Sequence, residues 1–246
     1  MSDRTVLGIS GAEARDFLQG LVTNDVAKLE HGLVYAAMLT PQGKYRADFF
    51  LVPMGDAILL DVDSALAPDL KQALTMYKLR SKVEITETDR VVTRGLGDAP
   101  EGAFADPRDP TLGWRGYDGQ PGDDSVDWDA VRVAALVPQS GVELTPDSFI
   151  LEMGFERLNG VDFRKGCYVG QEVTARMKHK TELRKGLAKV AVEGSAPVGT
   201  DITVDDKPSG TLFTQAGGQG LAYLRFDRAG EDMRAGDATV RLVEKA

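Results

Sequence analysis

The residues from Leu187 onward constrain the fold most. Apolar runs at 187–192, 202–204, 211–213, 219–226 and 239–243 are too short for helices, and Gly194, Pro197, Gly199, Pro208-Ser209-Gly210 and Gly217-Gly218 interrupt them. Short strands at such spacing, with turn residues between them, form a small barrel or sandwich. The upstream pattern is different. Ser10 with Glu13 has the form of a capping box, and Ala14, Phe17, Leu18 and Leu21 follow at helical spacing, with Gly20 as the stop. Segments 33–39, 47–53 and 57–62 read as strands separated by Pro41-Gln42-Gly43 and Met54-Gly55-Asp56. Ser64 opens a second helix with Leu66, Leu70, Leu74 and Tyr77 on one stripe and Pro68 near its start, and Lys82 to Glu87 reads as a strand. Helix, strands, helix, strand predicts an α+β layer architecture rather than regular βαβ alternation.

Between Gly95 and Asp124 stand seven glycines, four prolines and six aspartates, too few apolar groups for a core element. This reads as a long connection across a site or between two lobes. Helical spacing resumes from Asp127 to Val137. The expected division is residues 1–184, in two lobes with a boundary in 95–124, and a barrel over 185–246.

A net charge of −9 over 246 residues argues against wholesale nucleic-acid binding. No apolar run approaches the roughly 18–20 residues of a spanning helix, so no membrane role is expected. The start, Met-Ser-Asp-Arg, lacks the profile of a secretion signal, which predicts a cytoplasmic protein. The single cysteine, Cys167, makes no internal disulfide and by itself holds no iron–sulfur cluster, since such clusters usually take four cysteines. Two histidines, His31 and His179, leave no set with zinc spacing, so no metal site is expected. The charge is uneven. From Arg157 to Lys189 nine basic residues face three acidic ones, a +6 island in a chain that is −15 elsewhere. Folded onto one surface, the island would focus an anionic ligand; otherwise it is a solvated helix.

The island surrounds Lys165-Gly166-Cys167-Tyr168-Val169-Gly170-Gln171-Glu172. Val169, Val173 and Met177 recur every four residues, which predicts a helix starting near Gly170. Cys167 would then lie just ahead of a helix N-terminus and two residues from Lys165, and both favour thiolate. The alternative is a cysteine that merely packs, since free cysteine is among the most buried residue types. A dyad with His179 is disfavoured, because twelve residues of helix span about 18 Å.

This segment resembles the hallmark motif of the YgfZ family, folate-binding proteins needed for assembly or repair of iron–sulfur proteins. That family is similar in fold to the glycine-cleavage T-protein, an aminomethyltransferase. Phe17-Leu18-Gln19-Gly20, Thr23-Asn24-Asp25, Gln42-Gly43-Lys44, Leu79-Arg80-Ser81-Lys82-Val83, Asp106-Pro107-Arg108 and Leu112-Gly113-Trp114-Arg115 carry the likeness further, and the β-rich tail resembles the family's C-terminal barrel. The resemblance implies an aminomethyltransferase-like fold whose cavity binds tetrahydrofolate beside the cysteine loop. Its motif residues are Lys165, Gly166, Tyr168, Gly170, Gln171 and Glu172. Cys167 would act transiently, accepting iron–sulfur species or in redox chemistry, with the iron–sulfur assembly machinery or its client proteins as partners.

The implied folate contacts are Asn24, Asp25, Asp48, Arg108 and Arg176. Each has a plainer alternative: Asn24 and Asp25 could satisfy turn backbone groups, Arg108 a protein carboxylate, and Arg176 could pair with Glu172 one turn before it. Active aminomethyltransferases carry an acidic pair in the loop after Pro41. This chain has Lys44, Tyr45, Arg46 and Ala47 there, with Asp48 alone acidic, so glycine-cleavage activity is not expected. Two other functions stay open. One is a folate-dependent aminomethyltransferase or one-carbon transferase using Asp48 or Glu172. The other is an adaptor whose basic island docks an acidic partner.

Overall fold

The computed structural model describes residues 4–179, 182–230 and 232–246, and divides them into two compact units. The first comprises residues up to Val126 together with Leu158–Val173, and the second Asp127–Arg157 together with Thr174–Ala246. In the first unit, strand β1 (Arg4–Ser10) leads to helix α1 (Ala14–Gln19), strands β2 (Val34–Leu39), β3 (Tyr45–Met54) and β4 (Ala57–Asp63), helix α2 (Ala67–Lys78) and strand β5 (Glu84–Glu87). The sheet order is β2-β3-β4-β1-β5, antiparallel at every pairing.

Residues alternate between the two faces of a strand, and here both faces are buried. Leu7, Ile9, Val34, Ala36, Met38, Phe49, Leu51, Leu60 and Val62 share one apolar core with Leu18 of α1 and Leu70 and Leu74 of α2. The intervening positions include Tyr35, Asp48, Phe50 and Asp61, in a register that places Phe50 beside both Tyr35 and Asp61. Asp61 is fully buried. Arg4 donates from Nε to its Oδ1 at 2.6 Å, Arg115 from Nη2 to its Oδ2 at 3.0 Å, and the Tyr117 hydroxyl to Oδ2 at 2.8 Å. The Arg115 guanidinium lies 4.1 Å from the centre of the Phe50 ring. Burial would raise the Asp61 carboxyl, but the two arginines beside it hold it below the usual carboxylate range.

Arg115 comes from the stretch expected to lack core elements. A second sheet of order β6-β8-β7 forms there, from β6 (Thr93–Gly95), β7 (Phe104–Ala105) and β8 (Trp114–Gly116). Leu112, Trp114, Arg115 and Tyr117 are all buried, so one ion pair and three large side chains suffice where apolar residues are scarce. Gly113 has φ +66°, and a Cβ there would stand 2.1 Å from the Gly95 carbonyl oxygen, so this glycine serves close backbone approach.

Two helix starts differ from expectation. Ser10 belongs to β1, and Glu13 at the α1 N-cap makes no side-chain cap bond; its carboxylate accepts from the Lys82 amide at 2.9 Å. Ser64 likewise does not cap α2 but bonds the Thr5 hydroxyl at 2.7 Å, and Tyr77 leaves the expected apolar stripe for solvent.

In the second unit, helix α3 (Trp128–Ala134) is capped by Asp127, whose side chain accepts from the Ala130 amide. Its buried Arg132 donates to Glu143 at 2.9 Å and also bonds Asp129 and Thr214. Helix α4 (Gln171–Lys178) starts in the first unit and ends in the second, where strands β9 (Lys185–Glu193), β10 (Thr200–Val204), β11 (Lys207–Ala216), β12 (Gln219–Arg225), β13 (Met233–Ala235) and β14 (Ala238–Lys245) close a barrel in the order β10-β11-β12-β9-β14-β13. The expected barrel is therefore present, filled by Val190, Ile202, Leu212, Leu224, Met233 and Val240. No helix among the described residues is long and apolar enough to cross a membrane.

Replacing Asp61 by alanine leaves Arg4 and Arg115 buried without their carboxylate, and should cost about 3–5 kcal/mol in urea unfolding. Because the folded-state pKa of Asp61 is depressed, its contribution is fully present above the unfolded carboxylate pKa near 3.9. It should fall away as pH drops through the folded value, a loss the alanine variant would not show.

Candidate functional site

The cysteine loop is built on the end of α1. Gln19, the last helical residue, sends its side-chain amide to the Lys165 carbonyl at 3.0 Å and to Asp25 at 3.1 Å, while its side-chain oxygen accepts from the Val26 amide. Lys165 answers in the reverse direction. Its ammonium donates to the carbonyls of Gln19 and Val22, which lie at the C-terminal end of the helix, where a cation is favoured. Half-burial lowers the Lys165 ammonium to about 8 against the opposing pull of Asp25 and Asp162. The ammonium also lies 4.9 Å over the Tyr168 ring, and Tyr168 is itself buried. Lysine and glutamine thus tie the loop from both sides, and Gln19 was legible in the sequence only as part of a resembling stretch, with no role attached.

Further ties run to residues 158–162. Thr23 donates to the Gly160 carbonyl at 2.6 Å, and its own carbonyl accepts from the Asp162 amide. Lys28 bridges Asp162 at 2.7 Å and Asn24 at 2.9 Å. Burial would raise the Asp162 carboxyl, but its bonds from Lys28 and the Arg164 amide keep it below the ordinary range. Lys28 and Asp162 carried no motif signal.

Beyond Lys165 the chain is open. Gly166 has φ +95° with nothing within 4 Å of where a Cβ would stand, and Cys167 is exposed. Helix α4 starts at Gln171, four residues past the thiol, so the helix end and the cysteine are close in sequence but not adjoining. Val169, Val173 and Met177 are half-buried, and Thr174 is the buried residue of the helix. Gly170 closes the loop: a Cβ there would stand 2.6 Å from the Thr40 carbonyl oxygen, and one on Gly43 would stand 2.7 Å from Val173. The Gln42-Gly43-Lys44 turn and the Gly170-Gln171-Glu172 segment are therefore in direct contact.

The remaining expected residues fall in three places. Asn24 is buried, donating to the carbonyls of Tyr35 and Asn159 and accepting from the Asp25 amide and Lys28, which uses all four of its hydrogen-bonding positions. Asp25 caps a 3₁₀ turn over Val26–Glu30. Asp48 lies on the polar face of the first sheet, where Tyr35 and Tyr45 donate to its two oxygens at 2.9 and 2.6 Å. Burial and the Asp48 charge push the Tyr35 hydroxyl well above the usual phenol range. Arg108 grips Asp106 through Nε and Nη2 and stacks over Phe50 at 4.8 Å and Tyr35 at 5.3 Å. Nearby Arg94 is lowered to about 10 by burial and by Arg115, Arg108 and Arg4 around it, and these arginines share the face with Asp48, Asp61 and Asp106. Gln171 is half-buried, and Glu172 and Arg176 are exposed on α4.

The basic island is divided between the two units. Lys178 pairs with Glu156 and Lys189 with Glu244, while Arg157 donates to the carbonyls of Ala135 and Leu136. Lys180 lies outside the described residues. Among the described residues no group of three His, Cys, Asp or Glu is arranged to hold a metal ion.

Residues 184–246 match the family described as the CAF17 C-terminal beta-barrel domain. A protein of Mycosarcoma maydis named as a mitochondrial iron-sulfur cluster assembly factor IBA57 homolog is 33% identical over 238 residues, covering 82% of this chain and 59% of that one. The human protein of that name, also mitochondrial, is 30% identical over 270 residues, covering 91% of this chain and 76% of the relative. The chain belongs to the IBA57 family. The glycine cleavage system aminomethyltransferase T of Bartonella henselae superposes with a TM-score of 0.77 over 99% of this chain and 83% of that one, at 13% identity. The IBA57-family chain therefore has the expected aminomethyltransferase-like fold with a C-terminal barrel. The expectation of a cytoplasmic protein is corrected, because the relatives are named as mitochondrial. It rested on a missing spanning run and a missing secretion signal, and neither distinguishes one reducing compartment from another.

Alanine at Gly170 must meet the Thr40 carbonyl and also adopt φ +82°, whereas alanine at Gly166 meets open space at φ +95°. Urea unfolding should show a loss of about 1–3 kcal/mol for Gly170→Ala and about 1 kcal/mol for Gly166→Ala.

Proposed function

We propose that this IBA57-family chain serves the assembly of iron–sulfur proteins by presenting Cys167 as a transient ligand for iron–sulfur species in transit. The observation that carries the reading is an exposed thiol on an open glycine turn whose base is clamped by Lys165 and Gln19. A thiol so placed can be reached by a donor protein, while the clamped base keeps it in one position. In the exchange the Cys167 proton passes to solvent, the thiolate bonds an iron of the cluster, and a donor thiolate leaves that iron; no electron is transferred. One cysteine cannot retain a cluster that usually takes four thiolates, which suits passage rather than storage.

Tetrahydrofolate is the small ligand of this reading, as the likeness to the YgfZ motif implies. The polar face of the first sheet carries groups of matching chemistry, the Asp48 carboxylate and the Arg108 guanidinium, beside Tyr35 and Phe50, whose rings are buried under arginines. Asp48 and Arg108 would hold its ring system, and the ligand would supply a reduced pterin there. The phenols on Asp48 orient its carboxylate, and an anionic group of the ligand would share Arg108 with Asp106.

The deciding experiment loads the wild type and Cys167→Ala with a cluster donor, follows transfer to an apo acceptor by absorbance, and titrates both with tetrahydrofolate by calorimetry. Cys167→Ala should lose transfer at least about tenfold and keep folate affinity within about twofold. Unimpaired transfer in the alanine variant would sink the cysteine reading, and no heat of folate binding in either protein would sink the folate reading. Folate-dependent one-carbon release that survives the substitution would instead favour the transferase.

A further inference from the structure

The stretch Leu79-Arg80-Ser81-Lys82-Val83 plays no part in the cysteine site, yet its geometry is unusual. The Ser81 amide donates to the Lys78 carbonyl at 2.8 Å, and Leu79 has φ 44° and ψ −104°. This is the first central position of a type II′ turn, which glycine dominates because a Cβ there crowds the backbone. A leucine occupies it here and is 88% exposed, so no burial offsets the strain. Met76 is 67% and Tyr77 36% exposed, and three of the seven exposed large hydrophobics among the described residues thus fall within 76–79.

Lys78, Arg80 and Lys82 alternate with this apolar group, and no acidic residue occurs between Leu70 and Val83. Glu13 commits one oxygen to the Lys82 amide, anchoring the turn, and with Leu79, Arg80 and Ser81 it borders a shallow, open hollow. Strain and exposed apolar surface both weigh against the isolated chain, and such costs cluster where a surface is used.

We propose that residues 76–82 form a docking surface for an acidic, apolar segment of a partner protein. An apolar side chain of that segment enters the hollow beside Leu79, and its carboxylates meet Arg80 and Lys82. A lipid surface suits the site less well. The chain carries −9 overall, so an anionic membrane repels most of it, whereas a peptide segment meets Arg80 and Lys82 at contact range. The surface is independent of Cys167.

The test uses the full chain, its Leu79→Gly and Arg80→Glu variants, and short fluorescent peptides in which leucine or phenylalanine is interspersed with aspartate and glutamate. A matched series carries lysine and arginine instead, and phosphatidylcholine vesicles with and without phosphatidylserine complete the set. Wild type should bind the acidic series saturably, at least about tenfold tighter than the basic series and more weakly as salt rises, and both variants should lose at least about tenfold. Leu79→Gly should meanwhile raise Tm by about 2–4 °C, because glycine fits the turn, so lost binding would not reflect lost folding. No saturable binding of acidic peptides, binding indifferent to both substitutions, a lower Tm for Leu79→Gly, or preference for phosphatidylserine vesicles over peptides would each overturn the proposal.

Discussion

A carboxylate buried between two guanidiniums holds the first unit together. Asp61 lies mid-strand in a sheet covered on both faces, where an unpaired charge would be prohibitive. Arg4 reaches it from β1, while Arg115 and Tyr117 reach it from the small second sheet, so one side chain joins elements more than fifty residues apart in sequence. Buried ion pairs add little net stability over apolar packing, but they are unforgiving about what lies opposite. That demand fixes β8 over Phe50, and with it the arginine- and aspartate-bearing face on which Asp48 and Arg108 stand.

The cysteine loop follows the same logic in milder form. The carbonyls of Gln19 and Val22 lie at the end of a short helix, and the Lys165 ammonium takes both. The side chain of Gln19 returns the bond to the Lys165 carbonyl. With its base held this way the loop can leave Gly166 and Cys167 in open space without losing its position. Contact of Gly43 with Val173 and of Gly170 with Thr40 adds a second fixed point, where two glycine-bearing segments distant in sequence meet.

Elements with strong periodicity were legible in the sequence. The barrel, strands β2 to β4 and the start of α4 near Gly170 follow from spacing alone. Strand β1 was not, because Arg4–Ser10 carries a glycine and polar ends around a short apolar run. Nor was β13, only three residues long. The capping box at Ser10 misled because a β-strand claims that residue first, a tertiary choice that local pattern cannot express. Residues 95–124 looked coreless because a buried arginine counts as polar until its aspartate is known. At the site, the exposure of Cys167 was beyond the sequence, as were the partners of Asn24 and Arg108. Side-chain to main-chain bonds such as those of Gln19 leave no spacing signature.

The lone thiol on its open turn has one more consequence. Cys167 is the one cysteine among these 246 residues, so a sulfenic acid formed there would find no second thiol among them to resolve it. Oxidative damage at this position would then be repaired by an external reductant or recorded as a disulfide to another molecule. The redox state of this residue would therefore be set by its surroundings rather than by the fold around it.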